Sequence, residues 1–470
     1  MDYSSLSVRE FLKKSRSGEV DLEDFYQKLF ARLEQVQKQY NPFVTLAPEP
    51  GLGSLPKGPL HGLPVSAKDC ICTEGIQSSA GSRILEGYKP PFDATVIQKV
   101  KKAGGVVIGK TQQDEFGFGT FSTNSGFGVP RNPLDPSRSC GGSSGGAAAL
   151  TRALDFPHIA LAESTGGSIS CPAAFCGVVG LTPTYGLVSR WGLIDYANSL
   201  DKIGVIAREV DDAALMLQEI QGFDPDDFTS LSTLSKGYPL QPRVEGLRIG
   251  VPKEYFSGVD DQIEAGVWEA IKALESEGAK VRELSLPHAK LSLAAYYTIA
   301  TAEASTNLAK YCGMRYGPSL PLQGDFNEHF SAVRTRFLGQ EAKRRIMLGT
   351  FARLAGYRGK YYLKALQART LILSDFEKAF RGKGRVDVLI SPAMPILPPR
   401  FSEIEKLTPL QNYQMDILTV GPNLAGIPHL SIPWGTSRFS AGVHILGDHL
   451  QERKVLEAGK ALELAGRRHG

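Results

Sequence analysis

The chain has 470 residues, 42% hydrophobic and 22% charged, with a formal net charge of +4. That length suits one very large domain or roughly two to three ordinary ones, and that composition excludes a disordered or fibrous chain. The basic excess is too small to argue for nucleic-acid binding, and no basic block interleaved with aromatics supports direct reading of a base sequence.

The opening stretch MDYSSLSVREFLKKSRSG has no apolar run of the kind a secretion signal needs. No later segment approaches the length of about eighteen apolar residues that spans a bilayer. The expectation is a cytoplasmic chain without membrane contact. In VDLEDFYQKLFARLEQV, Asp21 is placed to cap a helix on which Phe25, Leu29, Leu33 and Val36 share one face, and Asn41-Pro42-Phe43 ends it. A Gly/Pro-rich passage leads to the apolar run PVSAKD, and DATVIQKVKKAGGVVIGKT then reads as helix, glycine turn and buried strand. Farther on, LRIGVP, DDQIEAGVWEAIKALESEG and AKVREL form a strand–helix–strand unit with Gly278 stopping the helix. Residues from about Leu291 to Phe380 read as mainly helical, and VDVLISPAMP and HLSIPWG as buried strands. The alternation of strands and helices predicts an α/β layered fold.

The six cysteines include no C-x-x-C pair, so a zinc or redox site is not expected, and small buried thiols are the better reading. GGVVIGKT matches a P-loop pattern through Gly104, Gly109, Lys110 and Thr111. A phosphate cradle needs a strand before its first glycine and a small-residue loop. Here a helix precedes and β-branched Val106-Val107-Ile108 follows, so the match is rejected.

From Gly117 to Gly192 charge is sparse and glycine dense. SCGGSSGGAAAL, residues Ser139 to Leu150, and STGGSISCPAAF, residues Ser164 to Phe175, place hydroxyls among glycines inside apolar sequence, which excludes a flexible linker. A serine nucleophile needs a base. His61 and His158 are distant candidates, but no G-x-S-x-G elbow supports them. Lys68, at the end of an apolar run, is suited to be a lysine kept neutral by burial. Thr165, Gly166 and Gly167 can turn backbone N–H groups toward a developing oxyanion.

Lys68, GGSSGG and TGGSI followed by PAAFCGVVGL resemble the amidase signature family. That resemblance implies a large mixed β-sheet between helical layers and a Ser–cisSer–Lys triad: Ser168 as nucleophile, Ser143 as the bridging serine and Lys68 as base. Ser144 then bonds locally. The 25 residues from Ser143 to Ser168 are one more than family members commonly show, and Ser164 and Ser170 stand where many relatives carry Asp and Arg. One extra residue in TRALDFPHIALAE accounts for the spacing without moving either motif, and the two serines bear on the polar support of the nucleophile turn, not on the triad.

The likeness continues through AAYYTIATAEASTNLAKYCGMRYG, EAKRRIMLGTFARLAGY, YYLKALQARTLILSDFEKAF and YQMDILTVGPNLAGIPHLSIPWG, and there resembles the A subunits of tRNA-dependent amidotransferases. It implies one domain over residues 1–470, with a helical segment near 1–45, a signature core near 60–210 and a helical segment near 290–380. It implies glutamine as substrate. Arg345 would meet its carboxylate, Asp416 its ammonium, and Tyr296 would be a third contact with Tyr297 as alternative. It further implies a heterotrimer. Ammonia would pass to a B subunit that uses ATP and Mg²⁺ on misacylated Glu-tRNA(Gln) or Asp-tRNA(Asn), a C subunit would bridge the two, and this chain would hold no cofactor or metal. A stand-alone amide hydrolase and a non-catalytic scaffold are the rival readings.

Overall fold

A computed structural model of the chain describes residues 2–469 apart from 5, 233–236, 239 and 323. Eleven strands form a single mixed sheet among these residues. In chain order they are β1 (Phe43–Leu46), β2 (Pro64–Lys68), β3 (Val106–Thr111), β4 (Ile159–Ser164), β5 (Val179–Thr182) and β6 (Lys202–Ala207). The remaining strands are β7 (Arg248–Pro252), β8 (Lys280–Leu284), β9 (Val388–Pro392), β10 (His429–Trp434) and β11 (Ala441–Gly447). Their spatial order is β1-β3-β2-β4-β6-β5-β10-β11-β9-β7-β8.

The expected N-terminal helix runs from Leu22 to Tyr40. The Asp21 carboxylate accepts the N–H groups of Glu23 and Asp24 at 3.0 and 3.2 Å, which satisfies donors the helix itself cannot. Phe25, Leu29, Leu33 and Val36 are all buried. Asn41 closes the helix at φ 50°, a left-handed conformation that asparagine tolerates, and Pro42 prevents continuation. The strand–helix–strand unit forms as read: β7 and β8 are parallel neighbours joined by the helix Asp261–Ser276, and Gly278 sits at φ +100°.

Half of the sheet positions the chemistry. β3, β2 and β4 are parallel neighbours in that order, so their carboxyl ends lie side by side. Every residue of these three strands is buried, which is why they read as unbroken apolar runs rather than alternating patterns. Lys68 ends β2 and Ser164 ends β4. The chain leaves both strands at their carboxyl ends, where open α/β sheets hold their ligands.

The P-loop pattern is the strand β3, as its β-branched residues required. Lys110 is fully buried, donating to the Ile71 carbonyl and to Ser78 Oγ at 2.7 Å. Five of the six cysteines are buried and Cys312 is half-buried, all of them free thiols.

Candidate active site

Lys68 carries its ammonium into a fully buried position at the end of β2. Nζ donates to Ser143 Oγ at 2.7 Å, to the Glu163 carbonyl at 2.9 Å and to Glu163 Oε2 at 2.8 Å. An ammonium has three donors, and all three are used. Ser143 follows a cis Gly142–Ser143 peptide bond. Glycine is required at 142 because a Cβ there would run into the Asp114 carboxylate and the backbone nitrogens of Phe121 and Ser122. Asp114 is itself fixed by the N–H groups of Ser122 and Asn124 at 2.9 Å each, and burial pushes its carboxyl up to about 6.

Two turns meet here. Ser144 donates its N–H to the Ser168 carbonyl at 3.2 Å and its hydroxyl to the Glu163 carbonyl at 3.0 Å. Ser168 lies on the short turn between β4 and the helix Ser170–Cys176, with 7% of its surface exposed. The Gly166 carbonyl accepts from Asn423 Nδ2 at 2.7 Å, the Tyr296 ring closes over Gly166, and Thr419 packs against Gly167. A Cβ on Gly167 would fall inside the van der Waals contact of Thr419 Oγ1. Gly167→Ala is therefore expected to displace the turn and lower the turnover rate by about 10²-fold. The double change Gly167→Ala/Thr419→Gly should recover part of that loss, measured as kcat for amide hydrolysis.

A charged pair of opposite sign lies on the Tyr296 side of the turn. Arg345, in the helix Gln340–Arg353, is 3% exposed. Its Nε donates to Glu341 Oε1 at 2.8 Å and one Nη to the Tyr196 hydroxyl at 2.9 Å. Its guanidinium carbon lies 5.2 Å from the ring centres of Phe118, Tyr297 and Tyr413, an aromatic cage that orients the planar group. Two of the five guanidinium N–H groups hold the side chain in place through these bonds, which leaves a fork for a carboxylate. Asp416 accepts from Tyr297 at 2.6 Å and from Thr120 at 3.1 Å. Its carboxylate is enclosed although the residue keeps some surface, and burial raises its pKa against the lowering effects of the Tyr297 bond and Arg345. Of the two adjacent tyrosines, Tyr297 holds Asp416 and Tyr296 covers the glycine turn.

The candidate histidines are occupied elsewhere. His158 Nε2 pairs with Ser66 Oγ at 2.9 Å, with burial pushing its ring down to about 3, and His61 Nδ1 pairs with the Pro56 carbonyl at 2.9 Å. The departure at 170 has a structural counterpart. Ser170 Oγ lies 3.2 Å from His429 Nδ1 and 3.3 Å from His444 Nε2, and burial keeps both rings neutral. Two neutral imidazoles thus line the space behind the nucleophile turn.

Reasoning from sequence missed Glu163 and Asp201. Thr165 Oγ1 lies 2.8 Å from Glu163 Oε1 and 2.8 Å from Asp201 Oδ1, so one hydroxyl joins two buried carboxyls. A signal for Glu163 was present: it is the one charge in the apolar strand IALAES. Asp201 gave none, since only the pairing of β4 with β6 brings it near.

The amidase family model matches residues 8–456. The chain belongs to that family. A glutamyl-tRNA(Gln) amidotransferase A subunit from Carboxydothermus hydrogenoformans is 46% identical, with 98% of this chain and 98% of that protein covered. One from Methanococcoides burtonii is 49% identical over 86% of this chain and 85% of that protein. The crystal structure of the Thermotoga maritima A subunit superposes with a TM-score of 0.83 at 37% identity, covering 98% of this chain and 95% of that one. The chain is similar to amidotransferase A subunits along nearly its whole length.

Proposed function

We propose that this amidase-family chain is the glutamine-hydrolysing A subunit of a cytoplasmic tRNA-dependent amidotransferase. The observation that carries the reading is the pairing of buried Arg345 with enclosed Asp416, joined through Tyr297, beside the Thr165–Ser168 turn. A free amino acid offers a carboxylate and an ammonium on one carbon, and these two side chains offer the complementary charges. An amidase for uncharged amides has no use for them.

In this reading Arg345 binds the glutamine carboxylate and Asp416 its ammonium, with Tyr297 orienting Asp416 and Tyr296 shielding the turn from water. Lys68 draws a proton from Ser143, and Ser143 from Ser168, whose Oγ attacks the side-chain amide carbon. Backbone N–H groups of Thr165, Gly166 and Gly167 receive the oxyanion, each worth about 3 kcal/mol in the transition state. The relay returns the proton to the leaving nitrogen, ammonia departs, and water releases glutamate from Ser168 by the same path reversed. No metal or cofactor is assigned to this chain. ATP and Mg²⁺ belong in the proposal to a partner, the B subunit, that amidates Glu-tRNA(Gln), Asp-tRNA(Asn) or both, with the C subunit completing the complex. Relatives that are named as A subunits support the partnership.

Arg345→Ala tests the reading. Losing charge-assisted hydrogen bonds of about 1.5–3 kcal/mol should raise KM for glutamine about 10- to 150-fold. Turnover of an uncharged amide such as butyramide should stay within about threefold. Equal loss on both amides, or brisk hydrolysis of butyramide with indifference to glutamine, would favour a stand-alone amidase.

A further inference from the structure

Lys68 can serve as a base only after its ammonium loses a proton, yet all three of its donors are engaged and water is excluded from it. The proton must have somewhere to go. Ser143 cannot keep it, because Ser143 has to deliver one. The Glu163 carbonyl is a poor proton acceptor. Glu163 Oε2, 2.8 Å from Nζ, is the remaining partner.

The surrounding bonds show that Glu163 is free to receive it. The Thr165 hydroxyl has one proton to donate but stands 2.8 Å from a carboxyl oxygen on each side. One of the two acids must therefore donate to it. Glu163 faces the Lys68 ammonium, whereas Asp201 otherwise faces only the backbone N–H groups of Tyr196 and Ala197. Burial and the Glu163 charge raise the Asp201 carboxyl against those bonds, so the proton is assigned to Asp201. Thr165 then donates to Glu163 Oε1, and Glu163 enters the reaction as a carboxylate facing the Lys68 ammonium.

We propose that Glu163 is the positioning residue that takes up the Lys68 proton, converting a buried ion pair into the neutral pair from which Lys68 acts as base. The inference rests on the glutaminase reading of the site. In the first step an N–H bond of Lys68 breaks and an O–H bond forms on Glu163 Oε2, with both charges extinguished. Ser168 Oγ then bonds to the amide carbon as its proton passes to Ser143 and the Ser143 proton passes to Lys68. Lys68 returns that proton through Ser143 to the departing nitrogen as the C–N bond breaks. The neutral pair survives acylation and repeats the relay with water. Other titratable groups facing the pair are Cys70 beyond β2, Asp114 beyond β3 and Asp201 before β6, with Arg345 acting on Asp114 and Arg190 on Asp201.

Because the proton moves within the pair, activation requires none to leave for solvent. Single-turnover ammonia release from glutamine by the intact complex should be flat between about pH 6 and pH 9. In Glu163→Gln the proton has no internal acceptor and must leave for solvent, so the rate should rise with pH within the same range. Glu163→Asp keeps a carboxylate and should retain the flat profile at a lower rate, which separates proton uptake from packing. A flat profile in Glu163→Gln, whatever its rate, or a sloping one in Glu163→Asp, overturns the inference while leaving glutamine hydrolysis intact. A wild-type complex that releases no ammonia from glutamine overturns the functional reading itself.

Discussion

Replacing Ser168 with alanine is expected to lower glutamine-dependent turnover by about 10⁴- to 10⁶-fold, because no neighbouring group can substitute for the attacking oxygen. The fold should not notice the change. Ser168 is small, nearly buried and on a turn whose carbonyl and side-chain contacts come from Ser144, Asn423, Thr419 and Tyr296, none of which uses the Ser168 hydroxyl. The decisive measurement pairs two assays on the assembled complex. Amidation of misacylated tRNA with glutamine as donor should vanish, whereas amidation with added ammonium salt should persist, since only the source of nitrogen has been removed. Full glutamine-dependent activity in this variant would remove Ser168 from the mechanism and favour a scaffold role.

The parts of this molecule that could be read in advance are those where one local rule acts alone. Asp21 is followed by a period of apolar residues, so the helix Leu22–Tyr40 is specified by its cap and its face together. Val106–Thr111 is β-branched enough to defeat a motif match, and it is a strand. The candidate site was legible in another way: its glycines sit where side chains would collide, as at Gly142 and Gly167, so the pattern of residue types is dictated by crowding. What stayed hidden depends on register between distant strands. Asp201 precedes β6 and reaches Thr165 only because β6 pairs with β4. Glu163 was visible as a charge, but its role depends on β2 lying parallel to β4, which sets the end of one strand beside the end of the other. Tyr296 and Tyr297 are adjacent on one helix, about 100° apart around its axis, and only docking decides which meets Asp416. Ser170 could be flagged as a departure, yet the histidines beside it come from β10 and β11, more than two hundred residues away.

The second large effect is expected at Lys68, and it separates catalysis from stability. Lys68→Met keeps an unbranched apolar stem but deletes the group that receives the Ser143 proton, so glutamine hydrolysis should fall by about 10²- to 10⁴-fold. The same change strands the Glu163 carboxylate in a buried site, with only the Thr165 hydroxyl left to compensate. Breaking one half of a buried ion pair costs about 3–5 kcal/mol, so the thermal midpoint should drop as well. Lys68→Met/Glu163→Gln removes the stranded charge and should recover most of the midpoint while recovering none of the activity. If activity returned with stability, Lys68 would be a structural cation rather than a base. A further double variant addresses the relay directly. Lys68 and Ser168 act on one proton path, so Lys68→Met/Ser168→Ala should lose no more turnover than Ser168→Ala alone. Additive losses would mean that the two residues serve separate steps, and the Ser143 bridge between them, 2.7 Å from Lys68, would then carry no proton.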